Sequence, residues 1–199
     1  DDPGGRITHG TLARRLQLLR PVTGRPADVR LLVVGGPGPE RPGTWNYGHQ
    51  YVGWHLVETK SSLPGAADEL SLYAGESYWT EPGSAVRRYT LRLDGFVSAN
   101  APRTGGTLVT RPVVFSGDHL SLNFSTSAAG RIRVGIERPD GTPIAGYGLD
   151  DCGDLYGDTV DRTVVWQDGS DVRSIAGQPV RLRFELTDAD LYSYRFETA

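Results

Sequence analysis

The stretch Val180-Arg181-Leu182-Arg183-Phe184-Glu185-Leu186 decides the fold class, because apolar and charged side chains alternate along it at every step. A period of two places the apolar side chains on one face of a β-strand and the charged ones on the other. The same kind of alternation recurs over residues 87–93, 120–124, 131–137 and 192–196. Strands with one apolar and one polar face bury their apolar faces when two antiparallel sheets pack face to face. The pattern therefore predicts an all-β protein.

The composition agrees with many short strands joined by turns. Of the 199 residues, 26 are Gly and 13 are Pro, a combined share well above the usual value of about 12%. The net charge of −3 offers no strongly basic surface for nucleic acid, and no apolar run approaches the roughly 20 residues of a membrane-spanning helix. The single Cys152 excludes an internal disulfide and a cysteine-based zinc cluster. We therefore expect neither nucleic acid nor a membrane as a partner.

Residues 6–20 leave two interpretations open. Leu12, Leu16 and Leu19 follow Thr11 at the spacing of a helix with a capping residue. A short β-strand fits the same stretch nearly as well, so the sequence does not decide between them.

A change in charge marks the expected division of the chain. Residues 1–101 carry one more basic than acidic side chain, whereas residues 102–199 carry four more acidic than basic ones. The strand-like alternation is also cleaner in the second part. The sequence predicts a β-rich segment over residues 1–101 and an antiparallel β-sandwich over residues 102–199.

Two stretches, residues 68–73 and 87–98, resemble the last blade of bacterial five-bladed β-propeller proteins that are similar to glycoside hydrolase families 32 and 43. The β-sandwich that ends those proteins resembles residues 106–112, 149–152, 157–158, 180–184 and 188–196. The resemblance covers roughly residues 66–199 and rests on the order of these stretches, since none of them is a catalytic signature.

The resemblance implies the closing blade or blades of a propeller followed by a β-sandwich, in a protein that hydrolyses O-glycosyl bonds. A five-bladed propeller needs about 40–50 residues a blade, so the main catalytic carboxylates are expected upstream of this chain, which alone is not expected to be active. The partners would be a glycan and the remaining N-terminal propeller portion, covalently attached or as a separate chain. A secreted or extracytoplasmic location is favoured. The alternative is an autonomous, non-catalytic glycan-binding or structural β-sandwich protein.

Aromatic and polar side chains that suit a sugar platform crowd one part of the chain. The predicted carbohydrate-binding residues are Trp45, Asn46, Tyr47, His49, Tyr51 and Trp79. Indole and phenol faces pack on the C–H groups of sugar rings, while amide and imidazole groups hydrogen-bond hydroxyls. Asn46 stands where related proteins often carry an acidic residue, and it cannot act as an acid, base or nucleophile. The alternative is that these residues close the propeller against the sandwich.

Two sets of carboxylates are candidates for chemistry. Glu76 follows a predicted strand and is the best local candidate for a catalytic carboxylate, although a solvated loop position is the alternative. The acidic run around Cys152 suggests a calcium site, with Asp150, Asp151, Asp154 and Asp158 as ligands. A solvated acidic face, or carboxylates that cap turns through backbone N–H groups, would give the same pattern. No other cofactor is expected, and we interpret Cys152 as structural.

Overall fold

The computed structural model describes residues 5–7, 13–16, 53–76 and 85–198. Contacts divide the chain into two compact units, one of Leu16–Val97 and one of Asp1–Arg15 with Ser98–Ala199. Within the described ranges the paired strands are all antiparallel, and the remaining regular element is a 3-10 turn at Arg173–Ile175. The prediction of an all-β protein with antiparallel sheets is confirmed. No helix in these ranges has the length and hydropathy needed to cross a membrane.

The strands are numbered in chain order. They are β1 (Gly5–Ile7), β2 (Ala13–Leu16), β3 (Val57–Thr59), β4 (Glu69–Glu76), β5 (Ala85–Arg92), β6 (Val97–Ala101), β7 (Gly106–Thr110), β8 (Val113–Val114), β9 (His119–Glu137), β10 (Asp158–Thr163) and β11 (Pro179–Glu197).

The unit that contains Ser98–Ala199 is called the C-terminal unit below. Its framework is formed by two strands of 19 residues, β9 and β11. They pair in antiparallel register from Arg181 opposite Glu137 to Glu197 opposite His119. The other edge of β11 pairs with β6, β7 and β8, while β10 pairs with β9. Strand β11 is therefore the central strand, and its alternating sequence fixes which side chains of its neighbours face the core.

The long ladder is interrupted where β11 passes Thr187 and Ala189. A β-bulge of this kind bends a strand and increases its twist. Gly130 lies against this point so closely that a methyl group there would come within 2.3 Å of the Asp188 carbonyl oxygen. Only glycine fits this close approach of two backbones.

The core lies on the apolar face of the β9–β11 ladder. Side chains that are at most 1% exposed come from both long strands, namely Leu120, Leu122, Phe124, Ile132, Val134, Ile136, Val180, Leu182, Phe184 and Leu186. The charged residues that alternate with them between Val180 and Leu186 are half-buried or exposed, namely Arg181, Arg183 and Glu185. The predicted division into an apolar and a polar face is confirmed along this stretch.

The unit Leu16–Val97 contains a three-stranded sheet in the order β3-β4-β5. Arg88 of β5 ties its strands together, because its Nε donates to Ser71 Oγ at 2.7 Å and its Nη2 donates to Glu69 Oε1 at 2.6 Å and Thr59 Oγ1 at 2.8 Å. One guanidinium thus bonds to both other strands of the sheet.

The first strands of the chain do not group with the remainder of the predicted segment 1–101. Both β1 and β2 belong to the large sheet, in the order β1-β7-β11-β6-β2. The pairing of Gly5–Ile7 with residues 108–110 is antiparallel. Of the two interpretations of residues 6–20, the strand describes Ala13–Leu16.

Candidate functional site

An open cleft of about 560 Å³ lies on the C-terminal unit. One wall is the end of β9, residues 135–137, and another is the turn that carries Gly141 and Pro143. Residues 148–151 and Arg183 of β11 complete the lining. The cleft therefore forms where the polar face of the central ladder meets the segment that follows β9.

Glu137 is the most unusual side chain in this cleft, because it is charged and yet only 4% exposed. Its Oε1 accepts a short hydrogen bond from Nε of Arg183. Its Oε2 is buried and has no hydrogen-bond partner among the described residues. Burying a carboxylate oxygen without a donor costs free energy, because the oxygen loses its hydrogen bonds to water and gains none in return.

Arg181 lies directly opposite Glu137 in the ladder. Its Nη1 donates to the Pro139 carbonyl oxygen at 3.3 Å, while its Nε is buried without an acceptor in the described part of the chain. A methyl group at position 141 would lie 3.9 Å from both Arg181 Nη1 and Glu137 Oε2. The Glu137 carboxylate and the Arg181 guanidinium therefore both lie beside the same turn.

That turn is held by its own hydrogen bonds. The Arg138 N–H donates to the Thr142 carbonyl oxygen at 2.8 Å, and the Gly141 N–H donates to the Arg138 carbonyl oxygen at 2.9 Å. Gly141 has a φ of 92°, which favours glycine. The Thr142 N–H donates to Asp140 Oδ1 at 2.8 Å and lowers the pKa of that carboxyl. The turn is thus a stable border of the cleft.

Two of the four predicted calcium ligands line the cleft, but the set does not converge on one point. Asp150 is exposed, and Asp151 Oδ2 accepts a hydrogen bond from the Gly148 N–H at 2.9 Å. Asp154 pairs instead with Arg133 Nε at 2.5 Å and raises the pKa of that guanidinium. Asp158 begins β10. Among the described residues, no group of three or more His, Cys, Asp or Glu side chains is arranged to hold a metal ion.

The other predicted site residues cannot be placed. Glu76 ends β4, where its backbone pairs with Ala85, and its side chain lies outside the described part. The predicted carbohydrate-binding set lies wholly outside the described residues and comprises Trp45, Asn46, Tyr47, His49, Tyr51 and Trp79. These assignments stay predictions.

A second cluster of charged side chains lies at the opposite end of the ladder. Asp118, which is 5% exposed, accepts from His119 Nδ1 at 2.5 Å and from Arg173 Nη2 at 2.6 Å. The Asp118 N–H also donates to the Glu197 carbonyl oxygen at 2.8 Å, and the Asp118 carbonyl oxygen accepts from the Val172 N–H at 2.9 Å. These bonds join the start of β9 to the end of β11 and to the 3-10 turn at Arg173–Ile175, so the cluster has a structural role.

Cys152 is 4% exposed and hydrogen-bonded on both sides. Its Sγ accepts from the Val134 N–H at 3.4 Å and donates to the Gly153 carbonyl oxygen at 3.3 Å. Burial is the main cause that raises the pKa of this thiol, and the nearby Asp154 adds the same effect. The thiolate is therefore disfavoured, which supports the structural interpretation.

We predict that a disulfide reagent such as DTNB modifies Cys152 at least about a hundredfold more slowly in the folded protein than in urea, because only the exposed thiolate attacks. Since the native pKa is raised, the free energy of unfolding should also fall as the pH rises past the ordinary thiol pKa of about 8.5. Rapid modification of the folded protein at neutral pH would contradict the buried assignment.

Comparisons with known proteins do not identify the chain. No protein-family model, no curated protein and no solved structure matches it.

Proposed function

We propose that this chain is the C-terminal part of a carbohydrate-active protein that resembles a glycoside hydrolase. The unit Leu16–Val97 supplies the closing propeller blade or blades, and the unit that contains Ser98–Ala199 is a β-sandwich. In this proposal the chain completes the propeller and supports glycan binding, while the main catalytic carboxylates belong to the rest of the protein.

The observation that carries the proposal is the cleft on the C-terminal unit. Sugar hydroxyls donate and accept hydrogen bonds, so proteins bind them with carboxylate acceptors and guanidinium donors placed close together. The cleft offers both kinds of group, with Glu137, Asp150 and Asp151 as acceptors and Arg183 as donor. Its volume of about 560 Å³ is within the range of small-molecule sites.

The proposed partner is the remaining N-terminal propeller portion, either covalently attached or as a separate chain. Large apolar side chains of the unit Leu16–Val97 support this partner, because Trp54, Leu63 and Val86 are 86%, 68% and 77% exposed. Exposed apolar groups of this size gain free energy when another protein surface covers them.

The second candidate is an autonomous glycan-binding or purely structural β-sandwich protein. A glycan-binding role shares the cleft with the first proposal and differs only in the absence of turnover by the larger protein. A purely structural role fits the ion pair between Glu137 and Arg183, which joins β9 to β11.

The experiment combines a glycan array with a hydrolysis assay on the chain of residues 1–199. We expect binding to at least one neutral oligosaccharide and no release of sugar from any bound glycan. Heat-denatured protein is the control for both readouts. Absence of binding across the array would contradict the proposal, and hydrolysis by this chain would place the chemistry here instead of upstream.

A further inference from the structure

The sequence contains three Asp-Gly pairs, namely Asp94-Gly95, Asp140-Gly141 and Asp168-Gly169. Such a pair can rearrange without an enzyme, because glycine has no side chain to shield its backbone nitrogen from the preceding carboxyl group. The nitrogen attacks the carbon of the neutral carboxyl and forms a new C–N bond. The carboxyl loses its hydroxyl and the nitrogen loses its proton, and together these leave as water. The product is a five-membered succinimide ring.

Water then opens the ring. Where it adds to the main-chain carbonyl carbon, the original peptide bond breaks and the chain continues through the aspartate side chain as isoaspartate. The water lost on ring closure is regained on opening, so the mass is unchanged and no oxidant or other reactant is needed. The backbone of isoaspartate is longer than that of aspartate by the side-chain methylene group.

Hydrogen bonding protects Asp140 from this reaction. Its Oδ1 accepts from the Thr142 N–H at 2.8 Å, and this bond lowers the pKa of the carboxyl. A hydrogen bond to the charged form keeps the carboxyl ionised. An ionised carboxyl has no hydroxyl that can leave as water, so ring closure at Gly141 is slow.

Close packing protects Asp94. Gly95 is buried, and a methyl group at that position would come within 2.8 Å of the Arg92 carbonyl oxygen. The chain around the Gly95 nitrogen therefore has little room to rearrange into a ring.

Asp168 has neither form of protection. The residue is exposed, and within the described ranges its carboxylate has no hydrogen bond or ion pair. The backbone of Gly169 has a φ of 114°, and a methyl group placed there would meet nothing within 4 Å. The carboxyl is free to reach the Gly169 nitrogen, and the space for ring closure is open.

The turn that carries Asp168 is short and ends on a core residue. The Trp166 N–H donates to the Gly169 carbonyl oxygen at 2.9 Å, and the Gly169 N–H donates to the Trp166 carbonyl oxygen at 3.0 Å. Trp166 is 2% exposed, and its Nε1 donates to the Val134 carbonyl oxygen of β9 at 2.9 Å. A longer backbone between Trp166 and Gly169 changes their spacing and breaks this pair of bonds.

We propose that Asp168-Gly169 is a site of spontaneous isoaspartate formation in the folded protein, that the folded structure protects the other two Asp-Gly pairs, and that the modification loosens the turn at Trp166. The proposal concerns the C-terminal unit itself and does not depend on the proposed glycan-binding function.

The test is to age the chain of residues 1–199 at mildly acidic pH, once folded and once in guanidinium chloride, and to count isoaspartate in tryptic peptides by electron-transfer mass spectrometry. Trypsin releases residues 163–173 as one peptide, in which Asp171 is an internal reference because no glycine follows it. In the folded protein, we expect position 168 to convert about tenfold or more faster than position 140, the factor that corresponds to one hydrogen bond to a charged group. In denaturant, the three Asp-Gly pairs should convert at comparable rates.

The structural consequence is tested with Asp168→Glu, which keeps the charge but would have to close a larger, slower-forming ring. We expect the unfolding equilibrium constant of isoaspartate-containing protein to rise about tenfold or more, because the turn loses both hydrogen bonds. Aged Asp168→Glu should keep the equilibrium constant of its fresh sample. Asp161→Glu is the matched control, because Asp161 is exposed and is followed by Arg162, and it should age as the original protein does.

Three results would overturn the proposal. The first is that Asp168 of the folded protein converts no faster than Asp94 or Asp140. The second is that Asp168 converts in denaturant but not in the folded protein, because the turn would then protect it. The third is that isoaspartate forms at position 168 and the unfolding equilibrium constant does not change.

Discussion

Replacing Arg183 by Met is expected to lower the free energy of unfolding of the C-terminal unit by about 3 kcal/mol. The substitution keeps most of the aliphatic length of the side chain, so the packing changes little. It removes the cation from Glu137, whose side chain is 5% exposed, and leaves that carboxylate buried without its charged donor. The loss measures the penalty of an uncompensated charge, not the net contribution of the ion pair.

A double variant distinguishes this cause from a loss of packing. Adding Glu137→Gln to Arg183→Met removes the charge that was left unpaired, so the combined loss should fall to about 1 kcal/mol. Arg138→Met is the control, because Arg138 is an exposed neighbour of the same turn. Urea denaturation followed by circular dichroism gives the free energy of unfolding of the unchanged protein, of Arg183→Met, of the double variant and of Arg138→Met. A double variant less stable than Arg183→Met alone would show that the buried charge is not the cause.

Truncating Phe184 to Ala is expected to lower the free energy of unfolding by about 3–5 kcal/mol. Phe184 is 0% exposed and sits on the central strand, opposite Leu108 of β7 on one side and Val134 of β9 on the other. Its ring also packs against Tyr194, with the ring centres 5.7 Å apart. The cavity left by the ring is therefore enclosed by both neighbouring strands and cannot collapse easily.

Tyr156→Ala is the matched aromatic truncation, since Tyr156 belongs to the same unit and is 69% exposed. We expect it to cost less than about 1 kcal/mol. The two variants are compared by their midpoints of urea unfolding, with the same slope m of unfolding free energy against urea concentration. Equal losses for the two variants would mean that β11 is not the centre of the core.

The strands and their faces were predictable because period-two alternation is a local property of the sequence. Val180 to Leu186 shows it most clearly, and the same rule places Ile132, Val134 and Ile136 in the core. The position of β1 was not predictable in this way. Its pairing with residues 108–110 joins segments about a hundred positions apart, and no local pattern in three residues specifies such a partner.

The candidate site was missed for a related reason. Glu137 lies at the polar end of an alternating strand, where the rule predicts a solvated carboxylate, and its burial arises only because the chain after β9 folds back around the cleft. The acidic residues at 150 and 151 were singled out as calcium ligands, whereas the structure brings them to a cleft that also contains Glu137 and Arg183. The association of these groups depends on tertiary structure, which composition and spacing do not determine.

The most direct test of the whole account is a map of backbone amide chemical shifts, recorded for the chain of residues 1–199 while a neutral oligosaccharide that binds on the array is added. The account predicts that the largest shifts fall on residues 135–137 and 148–151, around Glu137 and the opposite wall of the cleft. Shifts confined to residues 45–51 and 79, with none around the cleft, would contradict it and would place the sugar on the aromatic cluster instead.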